Sequence, residues 1–317
     1  MIEIKNVSKS FQVGKKRSIQ ALRDVNLTIA KGESLAIVGE SGSGKTTLGR
    51  CIAGLHTPTS GTITLDGRSV EQMRLTDSET LWSRAQFIFQ DPTGALNPLH
   101  RTDRTIGEGL RLRGVPEEEI AQRIRSVCGK LGLDESLLQM VPGALTIGEQ
   151  QRVGVARALV MEPDIIVFDE PTSMLDPFSR FEILETLEAI RKGGKLAIVL
   201  ITHDLRAVKA ISDRVVVMYL GEVVEIGEPA KLFRTPRHPY TEALVASMVD
   251  MPDGAPMRPF HLRGEIPSAL EHLEGCSFHT RCEYFSAICG KKHPSLEPCG
   301  EAAFSRCWHS DRLPGAA

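Results

Sequence analysis

The chain has 317 residues, with 38 Lys+Arg against 40 Asp+Glu and a formal net charge of −2. At 41% hydrophobic and 25% charged it has the balance of a globular protein with a sizeable core, enough for one large or two modest domains. No basic block points to nucleic acid, and apolar runs such as Leu196–Ile201 fall far short of the roughly 18 residues of a membrane span. Met1-Ile2-Glu3-Ile4-Lys5 lacks the basic start and long apolar core of a signal peptide, so a cytoplasmic protein is expected.

In chain order, Ile2-Glu3-Ile4 and Asn26-Leu27-Thr28-Ile29 read as strands. The apolar run Leu35-Ala36-Ile37-Val38 then enters Gly39-Glu40-Ser41-Gly42-Ser43-Gly44-Lys45-Thr46-Thr47. This is a G-x-x-x-x-G-K-T phosphate loop in its confirming context, with a strand before it and a helix from about residue 44 after it. Its glycines let successive N–H groups curl toward phosphate oxygens, and the outgoing helix adds positive potential. Lys45 is expected to reach the β- and γ-phosphates and Thr46 to ligate Mg²⁺. Residues 61–67 and Ala85–Phe89 read as further strands. Between about 104 and 160 the spacing of Ile120, Ile124, Val127, Leu131 and Leu133 predicts helices. Ile165–Phe168 is a buried strand, followed by a helix at about 179–192 and a strand at 196–202. Val215–Met218 and Val223–Ile226 read as a closing hairpin. The fold class is therefore α/β, with a largely parallel core sheet.

The strand at 165–168 delivers two acids, Asp169 and Glu170, at its C-terminal end. Downstream of a phosphate loop, Asp169 is expected to hold Mg²⁺ through its waters and Glu170 to polarise the attacking water.

With these two motifs on one chain, the sequence over about residues 1–235 resembles the ATP-binding cassette (ABC) ATPases. The resemblance implies a phosphate-loop core sheet with an antiparallel β subdomain and a helical subdomain at about 91–158. It makes Gln90, in Phe89-Gln90-Asp91-Pro92, the Q-loop glutamine that touches Mg²⁺ and the lytic water. Ser173 and Asp176, in Ser173-Met174-Leu175-Asp176, match the D-loop. His203 matches the switch histidine at the γ-phosphate, and Phe11 the aromatic that stacks on adenine.

Leu145-Thr146-Ile147-Gly148-Glu149 stands where the family signature Leu-Ser-Gly-Gly-Gln belongs. Thr146 keeps the hydroxyl, but Ile147 adds a β-branched side chain and Glu149 a negative charge. In the family, this segment of one subunit closes on ATP held by the other. A branched residue there restricts approach, and a carboxylate repels the γ-phosphate. The expectation is a heterodimer of unequal sites, in which this chain's phosphate loop hydrolyses and the loop facing Thr146–Glu149 turns over slowly. A tolerated variant with both sites active is the alternative.

Past residue 236 the composition shifts to Pro, Cys and His, a separate small module at 236–317. Arg237-His238-Pro239-Tyr240-Thr241, Gly264-Glu265-Ile266-Pro267-Ser268 and Gly275–Cys282 resemble segments of oligopeptide and dipeptide importer ATPases, a group that also includes nickel importers. The resemblance implies two transmembrane permease subunits, a second ABC ATPase subunit, an extracytoplasmic substrate-binding protein, and a peripheral position on the cytoplasmic face of the cell membrane. Cys276, Cys282, Cys289 and Cys307 are spaced C-x5-C-x6-C-x17-C, and clustered thiols in a short tail read as a cross-link. The same resemblance implies a [4Fe–4S] cluster on these four, with Cys299 as an alternative to Cys307. Zinc at the same ligands and free thiols are the other readings. Cys51 and Cys128 read as core residues. Two further classes stay open: a soluble ABC ATPase outside transport, and a regulator whose tail senses redox state.

Overall fold

The computed structural model describes residues 1–14, 17–247, 264, 267 and 274–313. Glu265, Ile266 and Ser268 of the segment noted above lie outside the described residues.

Two sheets organise the chain. The first contains β1 (Ile2–Val13), β2 (Arg17–Ile29), β4 (Ser60–Leu65) and β5 (Arg68–Ser69), in the order β2-β1-β4-β5. Its three pairings are antiparallel. The second is built on β3 (Ser34–Val38), β6 (Ala85–Ile88), β7 (Ile165–Asp169), β8 (Ala197–Ile201), β9 (Arg214–Tyr219) and β10 (Glu222–Gly227), and takes in β11 (Glu297–Gly300) and β12 (Ala303–Ser305). Its order is β11-β12-β10-β9-β3-β8-β7-β6, and β9, β3, β8, β7 and β6 run parallel. Every residue of β3, β7 and β8 is buried. That is why these strands read as unbroken apolar runs: a parallel sheet is covered on both faces.

The helices are α1 (Lys45–Ile52), α2 (Val70–Thr76), α3 (Ser78–Arg84), α4 (Pro92–Ala95), α5 (Thr102–Leu112), α6 (Glu117–Lys130), α7 (Ile147–Leu159), α8 (Pro177–Lys192), α9 (Leu205–Ile211), α10 (Pro229–Arg234) and α11 (Pro239–Ala246). Leu48, Cys51 and Ile52 of α1 share a core with the first sheet and one face of the second. Ile120, Ile124, Val127 and Leu131 sit at helical spacing and are all buried, sharing the opposite core with α5, α7 and α8. The helix expected at 179–192 starts two residues earlier, because Asp176 accepts from the N–H groups of Phe178 and Ser179 and Pro177 fits the first helical position. The closing hairpin turns through Leu220 (φ 46°) and Gly221 (φ 84°), the two left-handed residues of a tight turn.

The main sheet runs on into the cysteine-rich tail, since β12 pairs antiparallel with β10 at Glu225 and Ile226. Phe278, 1% exposed, packs among Tyr219, Tyr240 and His238 at ring-centroid distances of 5.2, 5.5 and 5.8 Å. Ser277 Oγ donates to Glu222 at 2.9 Å, and His293 lies 2.9 Å from the same carboxylate.

The [4Fe–4S] assignment at Cys276, Cys282, Cys289 and Cys307, with Cys299 as alternative, is corrected by this structure, and zinc with it. All seven cysteines are free. Among the described residues, no group of three or more His, Cys, Asp or Glu could hold a metal ion. Burial pushes the Cys276 and Cys282 thiols up to about 12 and Cys307 up to about 11. The cluster was implied by the resemblance, and the cross-link by a tail with little apolar material of its own. The tail meets that need by lending Phe278 to an aromatic cluster and β12 to the main sheet.

Phe278→Ala should therefore cost about 3–5 kcal/mol, read as a lower urea midpoint at unchanged slope. A loss below about 1 kcal/mol would mean that this ring does not hold the tail.

Candidate functional site

Residues 39–44 leave β3 and enter α1 around a cleft of about 780 Å³. The curl depends on two glycines. At Gly39 (φ 152°) a Cβ would lie 2.2 Å from the Met218 carbonyl oxygen, and at Gly44 (φ 100°) 2.4 Å from that of Ala21. No L side chain fits either place. Lys45 Nζ donates to the carbonyls of Gly39 (2.7 Å) and Glu40 (2.9 Å), which leaves one ammonium hydrogen for a ligand. Burial lowers the Lys45 pKa, opposed by Glu170, Asp169 and Glu40. Ser43 Oγ is buried without a partner among the described residues.

The strand ends supply the acids. Thr46 Oγ1 donates to Asp169 Oδ1 at 2.8 Å, which brings the hydroxyl at the start of α1 against the carboxylate ending β7. Burial raises the Asp169 pKa, against the Thr46 hydrogen bond and Arg50. A hydroxyl beside a desolvated carboxylate is an oxygen donor set suited to Mg²⁺. Glu170 stands one residue on, with φ 47° and its N–H bonded to the Ile201 carbonyl at 2.8 Å. A non-glycine residue in that conformation is strained, and such strain concentrates at functional sites. Its carboxylate lies 3.2 Å from His203 Nδ1. Ser173 Oγ donates to the Glu170 carbonyl (3.1 Å) and accepts from Gln90 Nε2 (3.4 Å). Phe11 lines the cleft, as do Ile19, Gln20 and Ala21, with Lys9 Nζ 5.1 Å from its ring centre.

Two groups of expected residues stand apart from this cleft. Asp176 caps α8. Leu145–Glu149 opens α7, where Thr146 and Glu149 form a capping box. The Glu149 carboxylate takes both the Thr146 N–H (2.8 Å) and its hydroxyl (2.9 Å). Ile147 is 43% exposed, and Gly148 abuts Ser179, whose Oγ would lie 2.8 Å from an added Cβ.

This layout, a strained carboxylate and a hydroxyl–carboxylate pair under a curled glycine loop, agrees with the sequence comparisons. The chain matches the ABC transporter family over residues 22–173 and the oligopeptide/dipeptide transporter C-terminal region over residues 224–289. It is 36% identical over 309 residues to the oligopeptide transport ATP-binding protein OppF of Escherichia coli, covering 94% of this chain and 92% of that protein. OppF of Haemophilus influenzae is likewise 36% identical, over 96% of this chain and 93% of that one. The chain belongs to the ATP-binding subunits of the ABC transporters. Among solved structures, a post-hydrolysis dimer of the ATP-binding cassette MJ0796 bound to ADP and Pi aligns at TM-score 0.65 and 31% identity, over 72% of this chain and 99% of that one. Clostridium perfringens cbiO1, part of the ABC transporter complex cbiONQ, aligns at TM-score 0.66 and 31% identity, over 74% and 90%.

As an ABC ATPase the chain binds and hydrolyses ATP. Sequence reasoning missed Leu244 and Ser247, at the end of α11, which also line the cleft, and Tyr240 and Arg281, which bond to Glu40. Tyr240 and Arg281 lie in segments noted for their resemblance to importer ATPases, but residues 200 and 241 positions from the loop leave no local pattern that ties them to it.

Backbone strain of about 1–3 kcal/mol at the first loop glycine should make Gly39→Ala bind Mg·ADP roughly tenfold more weakly, measured by fluorescence titration. Unchanged affinity would mean that the approach of Met218 does not fix the loop.

Proposed function

We propose that this chain is the ATP-hydrolysing subunit of a bacterial importer for di- and oligopeptides, and that its residues act as follows. The observation that carries the reading is the convergence of Thr46, Asp169, Glu170 and His203 on the phosphate loop, joined to near full-length likeness to oligopeptide transport ATP-binding proteins. Phe11 stacks on adenine. The loop N–H groups and Lys45 bind the phosphates. Thr46, Asp169 and Gln90 hold Mg²⁺, which supplies charge neutralisation at the phosphates. Glu170 takes a proton from the attacking water, and His203, within hydrogen-bond reach of that carboxylate, orients toward the γ-phosphate.

The site is completed by another subunit. The signature segment Leu145–Glu149 opens α7 away from this chain's own cleft, as a segment serving a facing site would. Its Thr146 hydroxyl is committed to Glu149, so the helix start presents a carboxylate where an anion is to be bound, which opposes the dipole that would favour it. The partner's phosphate loop, facing this segment, turns over slowly, and this chain's loop hydrolyses. Two such ATPase subunits, unequal in sequence, sit on the cytoplasmic side of two permease subunits, with a substrate-binding protein on the other side. No helix among the described residues is long and apolar enough to cross a membrane. The cassette occupies about 1–235 and the tail 236–317, and the helical segment at 91–158 carries the groove that meets the permease.

Glu170→Gln should retain nucleotide binding and lower the ATPase rate of the assembled importer by about 100-fold or more. If most of the rate survives, the unequal-site reading fails. Co-purification of the chain with membrane subunits separates the importer from a soluble ABC ATPase, which would purify without them.

A further inference from the structure

We infer that Arg281, deep in the C-terminal tail, is a positioning residue of the nucleotide site, neutralising the Glu40 carboxylate of the phosphate loop and holding it off the bound phosphates. The inference rests on the reading of the cleft as an ATP site. Arg281 lies 241 residues from Glu40 along the chain, yet binds its carboxylate through both terminal nitrogens, Nη1 at 2.8 Å and Nη2 at 3.2 Å. The side chain is 5% exposed and stands 5.9 Å from the centre of the Tyr219 ring. The hydrogen bonds to Glu40 raise its pKa further above an already high value.

Glu40 is bound at every polar point. Its N–H donates to Tyr240 Oη at 2.7 Å, its carbonyl accepts from Lys45 Nζ at 2.9 Å, and its carboxylate belongs to Arg281. One loop residue thus ties the tail to the lysine that meets the phosphates. The electrostatics explain why the tie matters. A carboxylate in the second position of a phosphate loop faces a polyanion, and in a partly dry cleft the repulsion is far larger than in water. Arg281 cancels that charge and turns the side chain into an anchor. Removing one partner of such a pair leaves the other charge uncompensated. The same tail lines the cleft directly with Leu244 and Ser247.

The test is calorimetric titration of the full-length chain with Mg·ADP, with thermal melting of each variant free of nucleotide. Arg281→Gln should bind roughly tenfold more weakly, a coupling of the size usual between linked sites. Adding Glu40→Gln should restore most of the loss, because the double variant has no stranded carboxylate. Arg281→Lys, which keeps the charge without the fork, should fall between wild type and Arg281→Gln and stands in if the latter does not fold. A purely structural role would lower melting in the double variant without restoring affinity, and that result overturns the inference. So does unchanged affinity in Arg281→Gln. Absence of Mg·ADP binding by the wild type would sink the nucleotide site itself, and the inference with it.

Discussion

The curl of residues 39–46 is the constraint that the rest of the molecule serves. It exists because two glycines allow main-chain carbonyls from β9 and β2 to come within reach that no side chain permits, and because Lys45 folds back onto the loop's own carbonyls. The acids and the histidine are then delivered to the curl by parallel strands. β7 ends in Asp169 with Glu170 directly after it, and β8 leads into His203. A parallel sheet aligns strand ends on one edge, so residues far apart in sequence converge without long loops. Binding energy here is preorganised: Thr46 and Asp169 are already in contact, and Glu170 is held in a strained backbone by its bond to Ile201.

Most of the cassette is legible in the sequence because its signals are local. The buried strands announce themselves as apolar runs, and α6 as a repeat at helical spacing. The residues assigned to the site stand at the ends of those elements. Thr146 and Glu149 are local in another sense, since a hydroxyl followed three residues later by a carboxylate is also a helix-start signature. The Glu149 carboxylate is tied to its own helix cap and leaves its negative charge at the helix start.

The tail was less legible because its cohesion is long-range. The clustering of cysteines is visible in sequence and, with the resemblance, suggests a metal. What holds the tail is Phe278 among Tyr219, Tyr240 and His238, β12 on β10, and Arg281 on Glu40. His238, Tyr240, Phe278 and Arg281 stand in segments that the resemblance picks out, but nothing in those segments says what they touch. Complementary charges 241 residues apart become meaningful only when the main sheet has brought them together. The tail is thus part of the nucleotide site's scaffold, and the loop that begins as a local motif ends as the meeting point of both ends of the chain.

The account turns on this chain's loop being the one that hydrolyses. Vanadate trapping of the assembled importer with an azido-ATP photolabel tests it most directly, because trapped nucleotide marks the subunit that turned over. The account predicts label on this chain, recovered in the peptide that contains Phe11. Label confined to the partner ATPase, or divided equally between the two, would contradict it.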